Sequence, residues 1–253
     1  MNYSKLESLT IIQSTLFSSF KNVNFGLSTR PCGVSAALYG LNLSFKVGDS
    51  EQHVQTNREL FFGRLNISLD RIAFPKQVHG NKVMFANKPG VYDDCDGLIT
   101  DKTNLYLAIS VADCLPIFLY DSVNKIFAAI HSGWKGSKLR ILSSAVQMMT
   151  QHFNSNPENI YAFMGQSAGV CCYEVGEEVA TQFSEEFVDR PPGKKPHLNL
   201  KEYNKDILLR EGFNKEHIEI SSHCTICDSR LFHSFRRDGN NSGRMMGVIG
   251  LKK

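Results

Sequence analysis

No stretch of this 253-residue chain approaches the ~20 consecutive apolar residues of a membrane span, so no membrane-spanning helix is expected. Charge of one sign is lacking too. The 28 Lys and Arg against 25 Asp and Glu leave a formal charge of only +3, and the basic residues are scattered, so no nucleic-acid footprint stands out. The first 25 residues have neither a basic start nor the roughly 7–15 residue apolar stretch of a secretory leader. Internal repeats and low-complexity tracts are absent. Seven cysteines, an odd number at irregular spacing, do not make a disulfide framework and point to a reducing compartment. A cytoplasmic globular protein of ordinary composition is expected, with 42% apolar and 21% charged residues.

What is present reads as α+β, a mixed α/β single domain spanning 1–253, with mixed, largely antiparallel sheets covered by helices. A helix is expected over 51–65, where Val54, Arg58, Phe61 and Leu65 recur at helical spacing after the capping candidate Ser50. Segments 72–79 and 82–86 read as strands around Gly80-Asn81, and Leu105–Val111 as a buried strand. Ile117–Tyr120 and Ile126–His131 make a hairpin. A helix follows from about Ser137 to Phe153, with Leu139, Leu142, Val146, Met149 and Phe153 as its stripe. A second is expected after Tyr173, on Val175, Val179, Phe183 and Phe187. Strands return at Ile218–Ser221, Phe232–Arg236 and Met245–Leu251. The three prolines of Arg190–His197 forbid a helix or central strand and mark a surface loop.

His79, Cys114 and His131 each fall where a predicted strand meets a polar or glycine-rich turn. Three such ligands with a fourth position left open are how a catalytic zinc site is built. If Tyr120 opposes Ile126, paired positions in the hairpin sum to 246 and Cys114 faces Ser132, next to His131. Opposed side chains have Cβ atoms roughly 4.5–5.5 Å apart, close enough to share an ion. Gln77, two residues before His79, would share its strand face and could orient a substrate. Asp113 could hydrogen-bond a ligating histidine, handle a proton, or serve as a plain turn carboxylate. Around His223-Cys224-Thr225-Ile226-Cys227 and His233, packed thiols are favoured over a structural metal, because the second ligand pair is missing. The tandem Cys171-Cys172 is weaker still, since adjacent side chains point apart on a strand. The turn Ser132–Gly136 before a helix suits one phosphate, and no Walker A pattern suggests a nucleoside triphosphate. Arg30 and Arg236 are candidates for its other half, because a planar guanidinium grips two oxygens at once.

Several ordered motifs then resemble one known family: Ser28–Ser35, Tyr39-Gly40-Leu41-Asn42-Leu43, Asn57-Arg58, Gln77-Val78-His79-Gly80, Asp96–Thr100, Ala112–Pro116, His131–Gly136, Tyr173–Gly176, Cys224-Thr225, Ser234–Asp238 and Gly243-Arg244. From about residue 25 to 251 the chain is similar to the laccase-domain or polyphenol-oxidase family, whose members are now regarded as purine nucleoside phosphorylases. The resemblance implies zinc on His79, Cys114 and His131, with copper as the alternative metal. It implies Asp113, Cys114 and His131 as catalytic residues and Arg30, Asn42, Gln77 and Arg236 as substrate-binding ones. The implied activity is phosphorolysis of adenosine, inosine, guanosine and methylthioadenosine, with adenosine deamination besides. The implied partners are purine nucleosides and phosphate, with no nucleic acid and no membrane, in a monomer or weak homo-oligomer. One departure is Gly165-Gln166, where the family usually has Gly-Pro.

Two other chemistries fit the same residues. A single-copper polyphenol oxidase would use the same three ligands. Multicopper oxidases, however, need many histidines, often as His-x-His pairs; this chain has eight histidines and no such pair. A cysteine hydrolase or amidase, for example on peptidoglycan precursors, would use Cys114 as nucleophile and His131 as base.

Overall fold

The computed structural model describes residues 9–252. In chain order, β1 (Ile11–Ile12) and the one-turn helix α1 (Thr15–Ser18) lead into β2 (Val23–Ser28) and the long helix α2 (Glu51–Arg64). Seven strands follow: β3 (Ile72–Pro75), β4 (Val83–Phe85), β5 (Gly90–Tyr92), β6 (Gly97–Thr100), β7 (Tyr106–Val111), β8 (Leu115–Asp121) and β9 (Ile126–Ser132). Helices α3 (Trp134–Lys138) and α4 (Ile141–Phe153) precede β10 (Ile160–Met164) and α5 (Glu177–Ala180). Next come the ribbon β11 (Val188–Asp189) and β12 (His197–Leu198), α6 (Leu200–Arg210), β13 (Ile218–Ile220), α7 (Phe235–Asp238) and β14 (Met245–Leu251). No helix among the described residues is long and apolar enough to cross a membrane.

Two six-stranded sheets form, in the orders β1-β2-β14-β7-β3-β5 and β13-β10-β8-β9-β6-β4. In each, three antiparallel pairings are joined by two parallel ones, so the sheets are mixed and largely antiparallel, as the sequence suggested. Strands buried on both faces explain the lack of simple apolar–polar alternation. Along β8, Leu115, Ile117 and Leu119 pack outward under α4 and α6, while Phe118 and Tyr120 point to the facing sheet. The first sheet covers its own outer face with α2, through Phe61, Phe62 and Leu65 against Tyr106, Ala108, Met246 and Val248. The result is helix, sheet, sheet, helix, with Phe25, Leu107, Phe118, Phe127 and Phe163 in the seam between sheets.

Several elements depart from expectation. The hairpin pairs Leu115 with Ser132 and Pro116 with His131, a sum of 247, because a four-residue turn follows the closing pair Asp121–Ile126. Residues 76–79 are not strand: β3 stops at Pro75, and His79 has a positive φ of 62°. The helix expected from Ser137 is broken at Arg140, which is left-handed (φ 61°), and Leu139 is left exposed rather than on the buried stripe. After Tyr173 there is a single turn, α5, because Ser184 turns extended and restarts the chain as a 3₁₀ turn; Val175, Val179, Phe183 and Phe187 are nevertheless buried. Phe232–Arg236 is not a strand: the Ser234 hydroxyl accepts from the Arg237 N–H and caps α7. Helix α6 was missed because its buried face, Leu200, Asn204, Ile207 and Leu208, carries a polar residue. The 190–197 excursion is the loop of a short antiparallel ribbon, with Asp189 opposite His197.

Candidate metal centre and active-site cavity

Strand β7 belongs to one sheet and β8 to the other, so the chain crosses between sheets over Ala112-Asp113-Cys114. Asp113 makes that turn with φ 87°, a costly conformation for a residue with a side chain. Its carboxylate over-determines the turn: one oxygen accepts the Thr225 hydroxyl at 2.6 Å, the other the Arg236 backbone N–H at 2.7 Å. Cys114 is thereby held at the mouth of β8, opposite Gly133. A Cβ at Gly133 would sit 3.0 Å from the Cys114 sulfur and 3.5 Å from His79 Cδ2, so only glycine leaves the ligands their space.

His79, Cys114 and His131 come together as the spacing implied, their ligand atoms within 4.8 Å of one another. The residue that assembles them is Asp96. Buried at the start of β6, it accepts the backbone N–H groups of Val78, His79 and Gly80 at 3.1, 2.9 and 2.8 Å. It also bonds His131 Nδ1 at 2.7 Å, leaving Nε2 for a metal. A carboxylate behind a ligating histidine is the usual second support of such a site. The donor set therefore suits a borderline divalent cation: two imidazole nitrogens, one sulfur and a second support.

Electrostatics agree with that assignment. Burial alone would push the Cys114 thiol up, but the charge of His131 and hydrogen bonds from His131 and His79 outweigh it and bring it down to about 6. Burial opposes protonation of His131, yet the Cys114 thiolate and the Asp96 carboxylate raise it to about 9. Each of the two therefore favours the charged form of the other, a charge pattern that a cation replaces by displacing a proton.

These ligands form one end of a cavity of about 740 Å³, within the range of small-molecule sites. Its floor is the outer face of the first sheet, Ala108, Ser110 and Met246; aromatic walls come from Phe45, Phe74, Trp134, Tyr173 and Phe235. Arg236 donates to the Glu174 carbonyl at 2.7 Å and lies 4.9 Å over the Tyr173 ring. Arg244 lies 5.4 Å over Phe235 and donates to the carbonyls of Ser242 and Gly243.

The proposed site residues divide. Gln77, Asp113, Cys114, His131, His79 and Arg236 all line this cavity. Gln77 reaches it from a loop, not a strand face, and its amide is paired both ways with the Ser110 backbone. Asp113 does not contact the histidines; Asp96 has that role. Arg30 lies elsewhere, in a second pocket with Gly33, Gly40 and Ser229, donating to the carbonyls of Ser229, Ala37 and Leu38. Asn42 is fully buried outside the cavity, where its amide binds Ser44 and Asp49 and accepts the Arg244 N–H at 2.9 Å. Gln166 does not line the cavity; it is buried with both amide atoms unpartnered. The turn after His131 leads into a helix of only five residues, α3, so the arginines are the stronger anion donors. Asp96, Arg58 and Arg244 were missed as site residues, although each lies within a motif quoted for the family resemblance.

Comparison with known proteins agrees along the whole length. A family model described as multi-copper polyphenol oxidoreductase laccase matches residues 24–252. The chain is 34% identical over 250 residues to the purine nucleoside phosphorylase YlmD of Bacillus subtilis, covering 92% of this chain and 90% of that protein. It is 32% identical to adenosine deaminase RL5, from an unknown prokaryotic organism, over 82% of this chain and 86% of that one. The crystal structure of YlmD from Geobacillus stearothermophilus superposes with a TM-score of 0.89 at 29% identity, over 95% of this chain and 94% of that one.

Proposed function

Because this chain belongs to the multi-copper polyphenol oxidoreductase laccase family, whose relatives carry purine-nucleoside-processing names, we propose that it is a purine nucleoside phosphorylase with adenosine deaminase activity. The observation that carries this reading is a three-ligand His-Cys-His set at one end of an aromatic cavity that also holds three arginines, Arg58, Arg236 and Arg244. The substrates are adenosine, inosine, guanosine and methylthioadenosine, and the protein acts in the cytoplasm as a monomer or weak homo-oligomer. His79, Cys114 and His131 would hold zinc, which when bound supplies Lewis acidity for activating water or polarising substrate.

The chain's own residues do the rest. Tyr173, Phe235, Phe45 and Phe74 offer faces on which a purine stacks. Arg236 and Arg244 hold phosphate by charge-assisted hydrogen bonds. In phosphorolysis a phosphate oxygen bonds to the anomeric carbon as the glycosidic C–N bond breaks; the electron pair leaves with the purine, which takes up a proton. In deamination the oxygen of water replaces the amino group at C6, and ammonia leaves. Asp113 contributes by position, since both its oxygens are spent fixing Arg236 and Thr225.

Adenosine turnover by purified, metal-analysed protein tests the reading. Adenine with ribose 1-phosphate is expected when phosphate is supplied, and inosine with or without it. Neither product at any metal loading would overturn the proposal. A second reading would then stand on the lowered Cys114 thiol beside a charged His131: a cysteine hydrolase. Its mark is fast iodoacetamide labelling of Cys114 in the metal-free protein together with hydrolysis of an amide substrate.

A further inference from the structure

Away from the cavity floor, four more sulfurs meet. Cys171 and Cys172 lie in the turn after Gly169, and Cys224 and Cys227 lie in the turn after β13; all four Sγ atoms are within 4.8 Å of one another. The adjacent pair does not diverge as it would on a strand. Residues 169–173 are a tight turn, with the N–H groups of both Cys172 and Tyr173 donating to the Gly169 carbonyl at 2.9 Å, and both sulfurs face Cys227.

Distances decide what the cluster is built for. A disulfide would hold two sulfurs at ~2.05 Å. Four thiolates on one zinc, each at ~2.3 Å, instead place the sulfurs ~3.8 Å apart along the edges of a tetrahedron. Here Cys171 and Cys227 are 3.5 Å apart and Cys172 and Cys227 3.1 Å apart. Those separations are too long for a disulfide, and with all four sulfurs within 4.8 Å of one another the cluster brackets the edge length of a metal tetrahedron.

Polar groups also approach the cluster. The Gly169 N–H donates to the Cys224 sulfur at 3.3 Å, and the two turns are joined by a backbone bridge from Ser167 to Cys224. Lys201 binds the carbonyls of Ser221 and His223 at 2.6 and 2.7 Å, placing a positive charge beside the cluster. Four thiolates around a divalent ion carry a net charge of −2, which such a lysine offsets.

We propose that Cys171, Cys172, Cys224 and Cys227 bind a second divalent metal ion of the zinc class, in a closed, structural, all-sulfur site independent of the His79–Cys114–His131 centre. Binding exchanges the four thiol protons for the ion without any change of oxidation state. The site clamps the turn that carries Tyr173 of the cavity wall to the loop whose Thr225 fixes Asp113. Tyr173 follows Cys172 directly and carries Arg236 over its ring. Thr225 lies between Cys224 and Cys227; its hydroxyl fixes Asp113, and Arg237 donates to the Thr225 and Ile226 carbonyls.

Zinc content of the full chain, purified under reducing conditions and dialysed into metal-free buffer, tests this. Two zinc ions per chain are expected for the wild type. One should remain in the double variant His79→Ala/Cys114→Ser, with X-ray absorption giving a shell of four sulfurs. Cobalt in place of that zinc should show intense sulfur-to-metal charge transfer and tetrahedral d–d bands. Cys227→Ser should lose one equivalent; because it could also fail to fold, the double variant, whose changes lie outside the cluster, carries the decision. Loss of all zinc from the double variant, a shell containing nitrogen, or a disulfide linking Cys227 to Cys171 or Cys172 in the native protein would each overturn the proposal.

Discussion

A single missing side chain makes room for the three candidate metal ligands. Gly133 has φ −74° and ψ 177°, a conformation alanine adopts freely, so the only cost of Gly133→Ala is the contact of its Cβ with the Cys114 sulfur and the His79 ring. We expect Gly133→Ala to weaken metal binding at the triplet by ~10-fold or more, the size of loss seen when a site's supporting geometry is disturbed. The melting temperature of the metal-free protein should hardly move. Chelator competition and calorimetry check the two halves; an unchanged metal affinity would contradict the packing argument. The triplet itself was legible because cysteine and histidine at strand ends are chemically conspicuous. Asp96 was not. Its role depends on lying beside a histidine 35 positions away, and an aspartate before a glycine reads as any turn. Asn42 looked like a substrate residue by motif, yet its amide is spent on Ser44, Asp49 and the backbone N–H of Arg244.

Among the elements, the two sheets meet through one deliberate gap. A Cβ on Gly247 in β14 would lie 2.4 Å from Phe118 Cζ and 2.6 Å from Leu27 Cδ2, so the glycine admits an aromatic ring from the opposite sheet. Gly247→Ala should destabilise the fold by about 1–3 kcal/mol, the usual cost of overpacking. Adding Phe118→Leu should recover part of that loss, which denaturant unfolding of the three variants would reveal as non-additivity. The sheet edge at β13 is fastened differently. The Glu219 carboxylate accepts from the Ser14 and Thr15 hydroxyls and the Thr15 and Leu16 N–H groups, tying α1 to β13. Burial raises the Glu219 carboxyl, but these donors outweigh it and hold it below the ordinary glutamate range. A depressed folded-state value means the stabilisation is present above the unfolded value near ~4.3 and is lost as pH falls through the folded one. Glu219→Gln should therefore cost about 1 kcal/mol at neutral pH, discounted from the ~1.5–3 of a charged hydrogen bond because solvent reaches the group. The gap between variant and wild type should close below about pH 4; a constant gap down to pH 3 would show that charge is not the cause. The strands β7, β8, β9 and β14, which are near-continuous apolar runs, and the helix α2 were readable within a few residues. Those decided by a local cap or a single left-handed residue, α3, α5 and α7, were not.

For the whole molecule, the fold does to charge what no linear reading shows. The basic residues are scattered along the sequence, yet Lys46, Arg58, Lys76, Arg236 and Arg244 all line one cavity, where Asp113 is the sole carboxylate among the described residues and has both oxygens occupied. Such a concave, same-sign surface concentrates anions, and its pull weakens as salt screens it. Arg58 is committed to structure, donating to the Leu43 carbonyl and lying 4.4 Å over Phe45. Arg244 spends one guanidinium nitrogen on the Ser242 and Gly243 carbonyls, and the rest of its fork remains for a ligand. It immediately precedes β14, an interior strand of the first sheet, and its backbone N–H and carbonyl bond Asn42 and Leu43, which fixes where it starts. Arg244→Met keeps much of the apolar stem and removes the charge. If phosphate is the nucleophile, its KM should rise about 10–100-fold, the equivalent of one lost charge-assisted hydrogen bond. The phosphate-independent conversion of adenosine to inosine should change far less. Initial rates for the two products, at several phosphate and salt concentrations, separate the effects. An equal loss of both products would mean that Arg244 serves the nucleoside or the cavity's shape, and that phosphate is held elsewhere.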